Sequence, residues 1–252
     1  MKIIILCILV CLIIFLTLNY TLGNYELYVN ENKNIPKIII QTWKVNVIPE
    51  KYKLDVGSVK NINHDFQYIF FSDDAIEDFL KDNYPVYYET YTKLPVKIQK
   101  IDFFRYIAVY HYGGFYFDLD MRALHSLNDL LEYDSVFPID QHITNKCKKK
   151  RITKYCDQGM NILVGQYAFG AKPQNEFVKL LIDTIHNNID EYLVDYKRYG
   201  KTLQYVYSTT GPDYVTDVYI KYNNKEKIHI LDYDKEQFFG KYAKHNHFGT
   251  WK

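Results

Sequence analysis

Between Pro95 and Asp120 the spacing of apolar residues changes period, and that change restricts what the chain can fold into. Val96, Ile98, Ile101, Phe104, Ile107, Ala108 and Tyr112 recur at the spacing of one face of a helix. Gly113 and Gly114 end that pattern, and FYFDLD then alternates with period two, the signature of a strand with one buried face. A helix reversed by two glycines into a strand needs further strands and helices to cover it, and the rest of the sequence supplies them. IPKIIIQTW (Ile35 to Trp43) and QYIFFSDD (Gln67 to Asp74) predict two strands, the second running into a helix capped by its Ser-Asp-Asp cluster. SVFPI (Ser135 to Ile139) predicts a strand, Asn175 to Ile189 an amphipathic helix, Gly211-Pro212 a helix start and KIHILDYD a late strand. Alternating strands and helices predict an α/β domain with a mixed, largely parallel sheet. No internal repeat and no glycine-rich phosphate loop is present.

The length, 252 residues with 48% hydrophobic content, suits one globular domain. Lys and Arg total 31 against 30 Asp and Glu, so no global field draws the chain to nucleic acid, and an anionic ligand has to be met locally. The N-terminus differs from the remainder. From Ile3 to Leu18 there is no charge, and Thr17 is the only polar residue. Residues 1–22 therefore predict a membrane anchor, with a cleaved signal peptide as the alternative, followed by a polar linker over 23–34 and a catalytic body over 35–252. Lys2 before the apolar run favours a cytoplasmic N-terminus and a lumenal body, a single-pass type II arrangement. Cys147 and Cys156 are the only cysteines of the body, and they read either as one disulfide of an oxidising lumen or as two free thiols.

In the strand FYFDLD, Asp118 and Asp120 point the same way while Leu119 points the opposite way. Two like charges side by side call for a cation, and carboxylate oxygens suit Mn²⁺ or Mg²⁺, which complete their shell with water and substrate phosphates. The plainer reading of D-x-D is a solvated strand end. On the preceding helix, Asp102 and Arg105 are three residues apart and share a face. They form either a simple intrahelical ion pair or a carboxylate and a guanidinium offered to sugar hydroxyls and a diphosphate.

The stretch KIQKIDFFRYIAVYHYGGFYFDLDMRAL resembles the sugar-binding region of glycosyltransferase family 32, the group containing yeast initiating α-1,6-mannosyltransferases and mannosyl inositol-phosphoceramide synthases. Three segments carry the resemblance in order: Ile35 to Trp43, Asp102 to Tyr106, and Tyr112 to Asp120. The T-G-P at Thr210 to Pro212 and the ending AKHNHFGTW extend it to residue 251. Three positions depart from the family pattern: Ile40 replaces a histidine, Thr250 a serine and Gln166 an asparagine.

The resemblance implies a GT-A-like fold and a metal-dependent glycosyltransferase acting with retention. Asp118 and Asp120 would hold the metal, with His245 as a third ligand and His247 a second candidate. Asp102 and Arg105 would hold the donor sugar, and Gln41, Thr42, Trp43, Tyr116 and Trp251 would complete the nucleotide-sugar site, Trp43 stacking on the base. GDP-mannose is the favoured donor, with a UDP-sugar as the alternative, and the implied acceptor is a glycolipid or glycan in a Golgi- or ER-like compartment. Two alternatives stand beside it. One is an inactive sugar-nucleotide-binding protein of the same fold. The other is a glycoside hydrolase, which needs carboxyl groups roughly 5–10 Å apart across the scissile bond.

Overall fold

The computed structural model describes residues 34–144, 147–148, 150–232 and 237–249. The expected anchor, nearly all of the linker, and Thr250 and Trp251 lie outside these residues. Among the described residues no helix is long and apolar enough to cross a membrane.

The β-branched run after Pro36 forms β1 (Ile38–Thr42). It pairs in parallel with β2 (Gln67–Phe71) on one side and β3 (Gly114–Phe117) on the other. Helix Lys97–Tyr112 delivers the chain to β3 through Gly113. Both glycines of this reversal have positive φ, 68° at Gly113 and 85° at Gly114. A Cβ on Gly114 would stand 2.4 Å from the carbonyl oxygen of Ile38, so β3 can approach β1 only without a side chain there.

After β3 the chain turns into a short strand outside the main sheet, β4 (Met121–Ala123). It then returns as β5 (Ser135–His142), β6 (Ile162–Val164) and β7 (Ala168–Ala171). With β8 (Ile228–Leu231) the main sheet has the order β2-β1-β3-β7-β5-β6, β8 pairing with β5. β7 inserts antiparallel between β3 and β5, β6 is antiparallel to β5, and β8 is parallel to it. Five strands therefore run one way and two the other, so the sheet is mixed, as expected. A second, two-stranded sheet pairs β4 with β9 (Ala243–His245), placing Met121 opposite His245.

Strand alternation sorts the core into two layers. Ile40, Tyr116 and Phe137 face one side, where they meet Phe104 and Ile107 of helix Lys97–Tyr112 and Val178 and Leu181 of helix Glu176–Asn187. Ile39, Phe115 and Val136 face the other, with Val59 of helix Lys53–Ile62, Phe239 and Ala243.

Local signals explain the helix ends. Ser72 caps helix Asp73–Asn83 by accepting from the Ala75 N–H at 3.3 Å. Asn175 accepts from the Phe177 and Val178 N–H groups at 3.0 and 3.1 Å. The single helix expected from Asn175 to Ile189 stops at Asn187, and a second runs Ile189–Tyr199. Pro212 occupies the first turn of helix Pro212–Lys221, where its missing N–H costs nothing.

Candidate active site

The strand expected to carry both aspartates ends at Phe117. Asp118, Leu119 and Asp120 form the turn into β4, closed by the Met121 N–H donating to the Asp118 carbonyl at 3.1 Å. The period-two pattern persists because Leu119 is buried elsewhere, with Tyr52 and Val56. The two carboxylates still converge, now through the turn, and β9 adds His245. His245 Nε2 lies 3.2 Å from Asp120 Oδ1. The other Asp120 oxygen accepts from the Phe248 N–H at 2.9 Å, and its carbonyl accepts from the Asn246 N–H at 2.9 Å. One ligand atom from each of Asp118, Asp120 and His245 falls within 4.8 Å of the others.

Their surroundings hold these groups in place. The His245 ring stacks on Tyr167, centroids 4.7 Å apart, and Tyr167 donates its hydroxyl to the Ile139 carbonyl at 3.0 Å. Helix Lys53–Ile62 contributes Asp55, which is buried and accepts from Arg122 of β4 at 2.7 Å and from Asn246 beside β9 at 2.8 Å. Asp55 thus ties together both strands that carry the site.

Asp102 and Arg105 do share a helix face, and both are 2% exposed. The guanidinium reaches Asp102 at 3.0 Å, Asp118 at 3.2 Å and the Gln166 carbonyl at 2.9 Å, and it lies over the Tyr116 ring at 4.6 Å. Thr210, first residue of the T-G-P stretch, donates to the other Asp102 oxygen at 2.8 Å. An exposed ion pair contributes only about 0–1 kcal/mol, whereas removing one partner of a buried pair costs about 3–5 kcal/mol. The simple helix-surface pair is therefore replaced by a buried cluster joining helix Lys97–Tyr112 to the Asp118 turn.

Electrostatics separates the carboxylates. Burial pushes Asp102 up to about 6, with Arg105 and Thr210 opposing it. Asp118 is raised by burial and by Asp120, with Arg105 opposing. Burial also works to raise Asp120, but the hydrogen bond and charge of His245 and the Phe248 N–H outweigh it and hold that carboxyl below the ordinary range. Two of the carboxylates, Asp102 and Asp118, thus share one guanidinium, and the third, Asp120, faces His245.

His245 Nδ1 and Arg105 Nε are both buried with no hydrogen-bond partner among the described residues. Two carboxylates and an imidazole are a donor set suited to Mn²⁺, and they are a workable one for Mg²⁺.

All of these groups line one cavity of about 470 Å³. At one end stand Trp43 and Tyr52, edge to face with centroids 5.0 Å apart, and Lys44. Thr42, Tyr116 and His247 are also on the wall, the Thr42 hydroxyl 3.1 Å from the Tyr116 hydroxyl, which donates to Asp118 at 3.1 Å. Gln41 lies behind the wall. Fully buried, it donates to the Asp118 carbonyl at 3.2 Å and accepts from Tyr68 at 3.0 Å, so it shapes the turn and does not face a ligand.

Cys147 and Cys156 are joined, with Cα atoms 5.8 Å apart. Asp55 and Asp140 are cavity-related residues that the sequence analysis missed. Asp140 had a usable signal, a carboxylate closing an apolar strand as Asp118 does, whereas Asp55 lies unmarked in a mixed helix.

Residues 49–137 match the family model described as a glycosyltransferase sugar-binding region containing the DXD motif. Over that region the chain is similar to the DXD-containing glycosyltransferases. Inositol phosphoceramide mannosyltransferase 3 of Schizosaccharomyces pombe is 39% identical to this chain over 110 residues, 44% of this chain and 31% of that protein. Inositol phosphoceramide mannosyltransferase 2 of the same organism is 29% identical over 191 residues, 76% of this chain and 48% of that protein. The chain thus spans about half or less of the length of these relatives. Two solved structures share its fold at a TM-score of 0.50. They are the PaToxG glycosyltransferase, 16% identical and covering 81% of this chain and 77% of that one, and the UDP-bound glycosyltransferase domain of the YGT toxin, 10% identical and covering 80% of each. The expected GT-A-like fold is therefore present.

Proposed function

We propose that this glycosyltransferase moves a hexose, with mannose favoured, from a nucleotide-diphosphate sugar to a glycolipid or glycan acceptor, with retention of configuration. The observation that carries the reading is the surplus of negative charge on one cavity wall: Asp102 and Asp118 share Arg105, and Asp120 stands beside Asp118 against His245, one ligand atom from each of Asp118, Asp120 and His245 lying within 4.8 Å of the others. Asp118, Asp120 and His245 would hold Mn²⁺ or Mg²⁺, which when bound supplies a Lewis acid for the leaving nucleoside diphosphate.

The protein's own groups account for the rest. Trp43 and Tyr52 offer an aromatic edge for the base. Asp102, fixed by Arg105 and Thr210, offers an acceptor to donor-sugar hydroxyls. Arg105 holds Asp102 and Asp118 in register. A hydrolase with carboxyls across a scissile bond is disfavoured, because the Asp118, Asp120 and His245 ligand atoms lie within 4.8 Å of one another. GDP-mannose is the favoured donor and inositol phosphoceramide the favoured acceptor, from the names of the relatives. The apolar run from Ile3 to Leu18 and the Cys147–Cys156 bond support a type II protein with a lumenal catalytic body.

The test uses the detergent-solubilised full chain with GDP, UDP and their sugars, with and without Mn²⁺. One nucleotide is expected to raise the melting temperature only when the metal is present. Asp120→Ala should lose that metal-dependent rise and about a hundredfold or more in turnover. Turnover retained in that variant would sink the metal assignment, and no response to any nucleotide would sink the donor class.

A further inference from the structure

Asp140 is a carboxylate on the cavity wall for which the donor reading has no use. The pairing of β5 with β6 steps from Ile139↔Val164 to Gln141↔Leu163, two residues forward on β5 against one back on β6. Asp140 is the extra residue of this bulge, and a bulge of this kind releases a residue from the ladder and re-aims its side chain. Here the freed side chain lies on the cavity wall.

The carboxylate makes no hydrogen bond or ion pair with the described residues. Arg151, the cation in its field, is already committed: both Asp213 oxygens accept from its Nε, at 3.0 and 2.9 Å, and its guanidinium lies 4.6 Å over the Tyr207 ring. Gln204 donates to the same Asp213 at 3.0 Å. His245, also within the field of Asp140, is turned to Asp120. A partly buried carboxylate without a donor is a hydrogen-bond acceptor whose partner comes from outside the protein.

Its position tells which partner. In the sheet order, β3 and β7 separate β5 from β1, the strand that ends beside Trp43. Three strand spacings of about 4.8 Å put Asp140 roughly 14 Å from the nucleoside end, about the span of a nucleotide sugar. The Asp118–Asp120 turn follows β3 and lies between. Tyr207 and Pro212 line the same cavity.

We propose that Asp140 binds the acceptor, accepting a hydrogen bond from a hydroxyl of an inositol or sugar group and so turning that group toward the donor. This rests on the glycosyltransferase reading.

The experiment compares wild type with Asp140→Asn, an isosteric change, and Asp140→Ala. Each is given Mn²⁺, the donor and one of two acceptor probes, inositol phosphoceramide in detergent micelles or methyl α-mannoside, and both glycosylated acceptor and free sugar are measured. In both variants the ratio of transfer to hydrolysis is expected to fall at least tenfold, with nucleotide-dependent thermal stabilisation kept. An unchanged ratio overturns the proposal. So does an equal loss of both products, or a loss of nucleotide stabilisation, since either places Asp140 on the donor side or in the fold. Wild type that hydrolyses the donor yet modifies neither probe overturns the acceptor class. Wild type that neither binds nor hydrolyses any nucleotide sugar overturns the glycosyltransferase reading itself, and this inference with it.

Discussion

Arg105 and Asp140 are opposite solutions to the same difficulty, a charged side chain taken out of water. Arg105 is surrounded by acceptors on three sides, while Asp140 has no donor among the described residues. The sequence announced the first through the D-x-x-R spacing, but not that the pair would be buried and shared with Asp118, because burial depends on which strand the helix covers. For the second it offered only a carboxylate closing an apolar strand, and the exposure to the cavity follows from a bulge that this signal does not foretell. The difference has a measurable sign. Burial pushes Asp140 up to about 6, with Arg151 opposing, against about 3.9 in the unfolded chain. Its ionised form therefore costs stability, in full above about pH 6, and the cost fades as pH falls through 6 to 4 and is gone only below about pH 3, where both states are protonated. Asp140→Asn should stabilise the metal-free protein by about 1 kcal/mol at pH 7.5, with solvent access limiting the gain, and by almost nothing at about pH 3. Urea unfolding of both proteins at the two pH values checks this, and equal midpoints at pH 7.5 would contradict it.

At the level of elements, periodicity served well where one face meets one core. Helix Lys97–Tyr112 and β1 lie where the pattern placed them. It misplaced the end of β3, because Leu119 is buried in a different cluster and so prolongs the alternation past the last paired residue. The Gly113-Gly114 reversal was legible as a stop, although its reason, the approach to the Ile38 carbonyl, was not. Gly114→Ala combines a 2.4 Å clash with a φ of 85°, and a loss of about 2–3 kcal/mol or more is expected, measured as a lower urea midpoint. A midpoint matching wild type would mean that β1 and β3 can separate without cost.

Over the whole molecule, strand and helix alternation predicted the class, and the order of strands lay beyond it. Nothing local to β7 says that it will enter antiparallel between β3 and β5, and nothing local to β9 says that it will seek out β4. Such pairings are decided by which apolar faces remain uncovered once nearer partners are satisfied. The family-like ending AKHNHFGTW marked His245, and pairing with β4 explains why a residue so far along the chain belongs with Asp120.

That pairing also sets an order of events. Asp120 and His245 are separated by most of the main sheet in chain order, since β5 to β8 are all synthesised between them. A chain emerging N-terminus first can align those strands before its histidine exists, so the capacity to bind metal would be the last property the fold acquires. In refolding from urea, sheet circular dichroism should recover ahead of Mn²⁺-dependent nucleotide binding. Simultaneous recovery would mean that the closing of β9 on β4 is part of the folding nucleus. If closure is late, an unfinished chain is kept from engaging nucleotide sugars until the rest of its scaffold is in place.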